Sequence, residues 1–408
     1  MKKPIAISLS PNSQRDDILL ALKILFRPYT WFDSRRVRSL EKIFEDRYVG
    51  YKALAVNSGR SAEYLILQVL GMERGDEVIV QAFSCIAVPN SVTWAGAKPV
   101  YVDVDKNFNI DVEDLKRKIS RFTRAIIVQN TFGVPAEIET IRKIADPRGI
   151  VVINDCAHSL GAIYKNEDIT FSVDISFCSF GRDKSISSVF GGMILCRDND
   201  FYKKCKKVRD RLSNPSFFWV FQQVIHPVLF VFILSLYNFF NIGKVILYFA
   251  QKVGVLSKAI YSVEKTTGRP VFFPAKMPGA LARLALNQFN KLDAFNSHRK
   301  QIAEFYFKKI NSKKIKLPEN KNGSTWLRFP FCFEDRDALF GKFKSGGILL
   351  GDWYKDVLSP TDNLAIFGYM SGSCPNAERY SKEILNLPTY PNLSLVEAER
   401  IVSILNNE

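Results

Sequence analysis

At 408 residues the chain exceeds an average single domain, and its 47% hydrophobic and 24% charged residues are those of a globular protein with a sizeable core. The formal net charge of +16 comes without zinc-finger spacing, a helix-turn-helix signal or an RNA-recognition aromatic pattern, so nucleic acid is the least supported anionic partner. Seven scattered cysteines with no CxxC spacing argue against a disulfide framework and a metal centre, and predict a reducing, cytoplasmic compartment. The opening "MKKPIAISLSPNSQRDD" lacks the apolar core of a secretory signal.

From residue 50 short apolar strands alternate with amphipathic helices. "KALAVNSG" reads as strand and turn, and "SAEYLILQVLGM" as a helix with Ala62, Leu65, Ile66 and Val69 on one face. "GDEVIVQAF", "KPVYVDVD", "TRAIIVQNTFG" and "IVVINDCA" read as strands, with helices at "AVPNSVTWAG", "NIDVEDLKRKI" and "AEIETIRKIADPRG" between them. Near-continuous Val/Ile strands joined by helices predict an α/β fold, a mostly parallel sheet covered on both faces. Ligands of such a sheet lie beyond the carboxyl ends of its strands, where "NSGRS", "QAFSC", "QNTFG", "NDCAHS" and "SFGRDK" fall.

After Arg211 the pattern changes. Residues 216–243 contain no Asp, Glu, Lys or Arg, and Pro227, Asn238, Asn241 and Gly243 are expected to break them into helical pieces. A charged amphipathic helix is predicted over 279–310, and the tail completes a smaller α/β domain. The expected organisation is an N-terminal arm and large domain over 1–212, an apolar helical insertion over 213–268 and a smaller C-terminal domain over 269–408.

Lys184 stands in a tight loop, "CSFGRDKSISSVFGG", between two strand-like runs. A lysine so framed suits capture of an aldehyde, and Asp155, ending a strand, suits the ring nitrogen of pyridoxal phosphate. A helix N-terminus at Gly59, Arg60 and Ser61 offers a phosphate anchor, and Ser179 adds a hydroxyl. Each residue also has an ordinary reading: Lys184 a solvated loop lysine, Asp155 a helix cap, His158 a core histidine, Arg60 a surface ion pair and Cys85 plain packing.

"NSGRSAEYLIL", "GDEVIVQAFSCIAVPNSV", "AGAKPVYVDVD", "INDCAHSLGA", "SFGRDKSISSVFGGMI" and "CPNAERYSKEILNLPTYPNLS" resemble, in order and spacing, blocks of the DegT/DnrJ/EryC1/StrS sugar aminotransferases. The resemblance implies the fold-type I aminotransferase architecture, pyridoxal 5'-phosphate as cofactor, and a homodimer. It implies that Lys184 is the Schiff-base lysine, that Asp155 partners the pyridinium, and that His158 lies near the ring's phenolic oxygen. Gly59, Arg60, Ser61 and Ser179 would hold the phosphate, and Cys85 stands where the family commonly stacks an aromatic, so that the stack is either thinner here or comes from Phe83. Pro274 and Lys276 replace the Asn and Arg of the family's "YNYRM" loop.

The implied activity is amination of a keto sugar, nucleotide- or lipid-linked, with glutamate as donor, in surface polysaccharide or glycolipid biosynthesis. Two rivals are a sugar dehydratase, which Lys184 argues against because that chemistry replaces the lysine by histidine, and a non-catalytic membrane-associated scaffold or regulator. The apolar stretch keeps the second alive. It is expected either to pack as a buried helical hairpin or to lie as a monotopic hairpin on the inner face of a membrane.

Overall fold

The computed structural model describes residues 4–237 and 239–408, so Asn238 lies outside the described residues. Strands β1 (Ile5–Ala6), β2 (Lys52–Val56), β3 (Glu77–Gln81), β4 (Lys98–Val102), β5 (Thr123–Gln129) and β6 (Val151–Asp155) lead into the small hairpin β7 (Ile163–Tyr164) and β8 (Glu167–Asp168). They are followed by β9 (Ile175–Ser179), β10 (Gly192–Cys196), β11 (Phe329–Cys332), β12 (Ile348–Leu349) and β13 (Ile384–Leu387). The helices of the first half are α1 (Arg15–Leu25), α2 (Ser34–Arg47), α3 (Gly59–Val69), α4 (Ala87–Trp94), α5 (Val112–Lys118), α6 (Ile138–Ala145) and α7 (Asn199–Arg211). Those of the second are α8 (Phe217–Ser235), α9 (Ile242–Lys252), α10 (Gly279–Phe289), α11 (Leu292–Lys309), α12 (Arg336–Ser345), α13 (Pro375–Glu383) and α14 (Leu395–Leu405).

The central sheet runs in the order β2-β10-β9-β6-β5-β3-β4, parallel throughout except for β10, which is antiparallel to β2 and β9. Its strands are buried almost end to end because both faces are covered. On one face Leu40 and Phe44 of α2 and Leu281 and Ala285 of α10 join the core; on the other Leu65 and Ile66 of α3 and Val92 of α4 do. Register fixes the ligand edge. Gln129 pairs with Asp155, Asp155 with Phe177, and Ser179 with Gly192, which in turn faces Val56. The carboxyl ends of β2, β5, β6 and β9 and the start of β10 therefore share one side of the sheet, as expected of ligand-binding α/β sheets.

Two expectations are corrected. The single helix expected over 279–310 is two, α10 and α11, divided at Asn290 and Lys291. Buried residues on each side of the break, Phe289 and Leu292, let the two pieces turn separately into the core. Pro227 does not break the apolar stretch: α8 runs through it, with Pro227 buried inside the helix. Packing of Val220, Val224 and Val228 into the large-domain core offsets the lost backbone hydrogen bond. The reversal comes later, where Asn241 takes a left-handed φ of 59°. Gly243 lets α9 cross close to α8, since a Cβ there would strike the Ile233 carbonyl and the Tyr237 backbone.

The N-terminal arm crosses between the parts of the molecule. β1 pairs in parallel with β12 of the C-terminal region, and α1 packs on α8 and α10. Among the described residues α8 is the one helix long and apolar enough to cross a membrane, and half of its most apolar window is already buried in the protein.

Candidate active site

A cavity of about 410 Å³ opens at the carboxyl edge of the sheet, within the size range of small-molecule sites. Its wall carries Gly59, Arg60, Cys85, Asp155, His158, Ser179 and Lys184, so residues spread over more than a hundred positions meet in one place.

At one end is the start of α3. The Ser58 hydroxyl caps the helix by accepting from the Ser61 N–H at 3.1 Å, and the Ser61 hydroxyl donates to Asn57 Oδ1 at 2.8 Å. Ser61 is thus spent inside the cap, which leaves the Gly59 and Arg60 N–H groups as first-turn donors and Ser58 on the wall. Glycine is required at 59, because a Cβ there would stand 2.7 Å from Ser179 Cβ and 3.0 Å from its Oγ. This close approach brings the Ser179 hydroxyl against the helix start, forming a cradle for an anion.

Arg60 does not reach into that cradle with a free charge. Its guanidinium is ion-paired with the fully buried Glu264, donates to the Ala259 carbonyl at 2.8 Å and lies 4.9 Å from the Phe273 ring centroid. Of the two readings of Arg60 the ion pair is present, though buried rather than at the surface. Arg182, which sequence reasoning passed over, stands on the wall as well. Its Nη2 donates to the Ser257 carbonyl and hydroxyl at 2.6 Å each, while Nε is buried without a partner. Burial pushes its guanidinium down to about 10.

At the floor Asp155 accepts from the Ala157 N–H at 2.8 Å and is 3% exposed. Burial raises its carboxyl to about 6, opposed by that hydrogen bond and by Lys184. Lys184 is driven the other way: burial lowers its ammonium below the ordinary lysine value, with Asp183 opposing. The lysine loop is held by its backbone. Asn12 Nδ2 donates to the Lys184 carbonyl at 2.7 Å, and Arg299 Nη2 to the Ser185 carbonyl at 2.9 Å.

Phe83 is not on the cavity wall. Phe83 is fully buried behind the cavity, with Phe108, Phe132 and Tyr354 around it. Trp353 on the wall instead stacks on His158 at 5.2 Å and 12°, with Lys184 Nζ 4.8 Å from its ring and the Arg328 guanidinium 3.2 Å over it. Arg328 is buried and donates to Asp183 at 2.9 Å, tying the C-terminal region to the lysine loop. His158 Nδ1 accepts from the Phe132 N–H at 3.3 Å, which leaves the proton on Nε2, 3.4 Å from the Tyr354 hydroxyl. Burial, then the charges of Lys184 and Arg328, keep this imidazole neutral. Nothing in the local sequence marks Trp353 or Arg328; only the "DWYK" run in an apolar context hints at a buried aromatic pair.

The sequence model of the DegT/DnrJ/EryC1/StrS aminotransferase family matches residues 13–219 and 249–406. The chain belongs to this family. The unmatched gap, 220–248, falls on α8 and α9. Among relatives, the GDP-perosamine synthase of Escherichia coli O157:H7 is 27% identical over 92% of this chain and 92% of its own length. A pleiotropic regulatory protein of Geobacillus stearothermophilus is 28% identical over 86% of this chain and 82% of its own. Among solved structures, S. venezuelae DesV in complex with a ketimine intermediate superposes with a TM-score of 0.77 at 22% identity, covering 100% of this chain and 98% of DesV. Helicobacter pylori PseC, an aminotransferase of pseudoaminic acid biosynthesis, gives 0.75 at 20% identity, covering 99% of each chain. These likenesses show the fold, a fold-type I aminotransferase architecture.

Proposed function

We propose that this family member is a pyridoxal-phosphate-dependent aminotransferase converting a keto sugar carried on a nucleotide to the amino sugar, with glutamate as donor. One observation carries the reading: Asp155 and Lys184 face a single cavity whose far end is an open helix N-terminus with a serine hydroxyl beside it. A carboxylate, an amine and an anion cradle on one cavity are the groups that the ring nitrogen, the aldehyde and the phosphate of the cofactor call for. The name of the GDP-perosamine synthase relative supports a nucleotide-linked sugar. The cofactor, when bound, supplies an aldehyde carbon and an electron-accepting ring.

The residues divide the work. The Gly59 and Arg60 N–H groups and Ser179 would bind the phosphate, and Asp155, a carboxylate above about pH 6, would partner the ring nitrogen. His158, neutral and fixed by Phe132 and Tyr354, donates no charge and orients the ring's oxygen side. Lys184 Nζ, deprotonated more readily than a surface lysine, takes and returns the proton of the amino donor's α-carbon. The intact Asp155 and Lys184 disfavour both the scaffold and the dehydratase readings. The working unit is proposed to be a homodimer, the state the family resemblance implies.

The test is direct. Purified protein incubated with pyridoxal 5'-phosphate and reduced with borohydride should carry the cofactor on Lys184 by peptide mapping, and glutamate should bleach the visible band before reduction. A reduced adduct on another lysine, or no adduct at all, refutes the assignment.

A second reading concerns place. α8, α9 and the residues joining and following them leave the side chains of Phe232, Phe240, Val245, Tyr248, Phe249 and Val253 exposed, Phe240, in the turn between the helices, to 85%. We propose that this face seats the enzyme on an anionic membrane surface as a monotopic hairpin, helped by Lys244 and Lys252 on α9. The half-burial of α8 supports lying on a leaflet over spanning it. Phe240→Glu with Phe249→Glu should abolish flotation with anionic liposomes while leaving the borohydride adduct intact. Wild type that stays at the bottom of the gradient eliminates this seat.

A further inference from the structure

Glu63 has no part in the scheme above, yet it lines the same cavity as Asp155. It follows Gly59 by four residues on α3, so both project from the helix face that meets β9 and β10. The residue is 1% exposed, and its Oε1 is buried with no hydrogen-bond partner. A carboxylate so placed would be an uncompensated buried charge, which burial strongly disfavours. Asp155 and Arg60 are the charged groups that act on it, and Arg60 is already paired with Glu264. From β10 and α7, also packed around α3, the buried titratable groups in the same core are the thiols of Cys196 and Cys205, which supply no positive charge.

Resting on the cofactor reading, we infer that Glu63 is a positioning acid for Asp155: the two carboxyl groups on this cavity carry one proton at neutral pH, and Glu63 keeps it. The pair then carries a single negative charge. That charge sits on Asp155, which the Ala157 N–H stabilises and which faces the position of the cofactor's ring nitrogen. Both groups are pushed toward protonation by burial, but Asp155 has a donor and Lys184 nearby while Glu63 Oε1 has neither. Glu63 acts through Asp155 and touches no reacting atom. As a neutral dipole lining the same low-dielectric cavity, it adds no second negative charge and biases Asp155 toward ionisation.

Two measurements test it. The first uses cofactor-free protein and infrared difference spectra between wild type and Glu63→Gln at pH 7 to 8. A protonated-carboxyl carbonyl band should be present in wild type and lost in Glu63→Gln; its absence from wild type, or its survival in Glu63→Gln, overturns the inference whether or not the protein binds the cofactor. The second titrates the visible absorbance of the cofactor-loaded protein with pH. Glu63→Gln, neutral and still a donor, should titrate as wild type does. Glu63→Leu should shift the midpoint by about one pH unit and weaken cofactor binding roughly tenfold, while folding at least as stably as wild type because an unpartnered buried polar group is gone. A Glu63→Leu protein that is folded and titrates with the wild-type midpoint reduces Glu63 to a structural residue and sinks the proposal.

Discussion

Replacing Lys184 by alanine is expected to lower turnover by on the order of 10⁴-fold or more, because the variant loses the amine proposed both to capture the cofactor and to move the proton. The borohydride-reducible adduct should vanish with it. The fold should not suffer: the loop is held by its backbone, through Asn12 and Arg299, and its side chain leaves no buried partner without a hydrogen bond. Cofactor should still bind through the α3 cradle and Asp155, more weakly and without the covalent link. The pH profile gives the sign. Burial lowers the Lys184 ammonium below its ordinary value of 10.5, so the neutral amine is gained as pH rises through a point below that value. The limb of the turnover profile that reports Lys184 must therefore lie on the acid side of an ordinary lysine. A Lys184→Ala protein retaining even a few per cent of wild-type turnover would defeat the assignment.

Asp155→Asn should separate stability from function. Burial raises the carboxyl from 3.8 to about 6, so the folded, cofactor-free protein holds this proton more tightly than the unfolded chain. Stability from this group is therefore complete below about pH 4, falls as pH rises toward about 6, and stays reduced above that. The ionised group costs the folded state roughly 3 kcal/mol at neutral pH, two pKa units and a little more. Asparagine carries no charge and still accepts from the Ala157 N–H. The cofactor-free variant should gain up to roughly 3 kcal/mol in denaturant unfolding at pH 7 to 8, with the gain disappearing at pH 4. Activity should fall by roughly a hundredfold or more, since a preorganised charge beside the ring is lost. A stability difference that does not change with pH, or near-normal turnover, contradicts the role given to Asp155.

The sheet and its ligand edge are legible from the chain alone. Strands such as "EVIVQ" and "VVIND" are continuous apolar runs bounded by turn residues, a pattern set by burial on both faces, and local physics suffices to read them. The same holds for the polar clusters after each strand, where Gly59, Asp155, His158, Ser179 and Lys184 stand out by position and residue type. The family resemblance adds the chemistry that each position could carry.

Tertiary structure decides what depends on partners far away in sequence. Trp353 reaches the wall because the 352–360 segment is pinned to residues 84–86, the Ile86 N–H donating to the Ser359 carbonyl and the Ser359 N–H to that of Ser84, and Arg328 lies over its ring from behind. No local pattern encodes that contact. Phe83 is expected on the wall for its neighbourhood to Cys85, but it lies beyond the end of β3, where the aromatic cluster of Phe108, Phe132 and Tyr354 buries it. Pro227 sits within a helix because packing outweighs its local penalty. Arg60 keeps its charge from the cradle because Glu264, two hundred residues on, takes it first. Glu63 is the same lesson in reverse: within "SAEYLIL" it reads as the polar position of an amphipathic helix, and only the sheet laid against that face makes it a buried acid on the same cavity as Asp155.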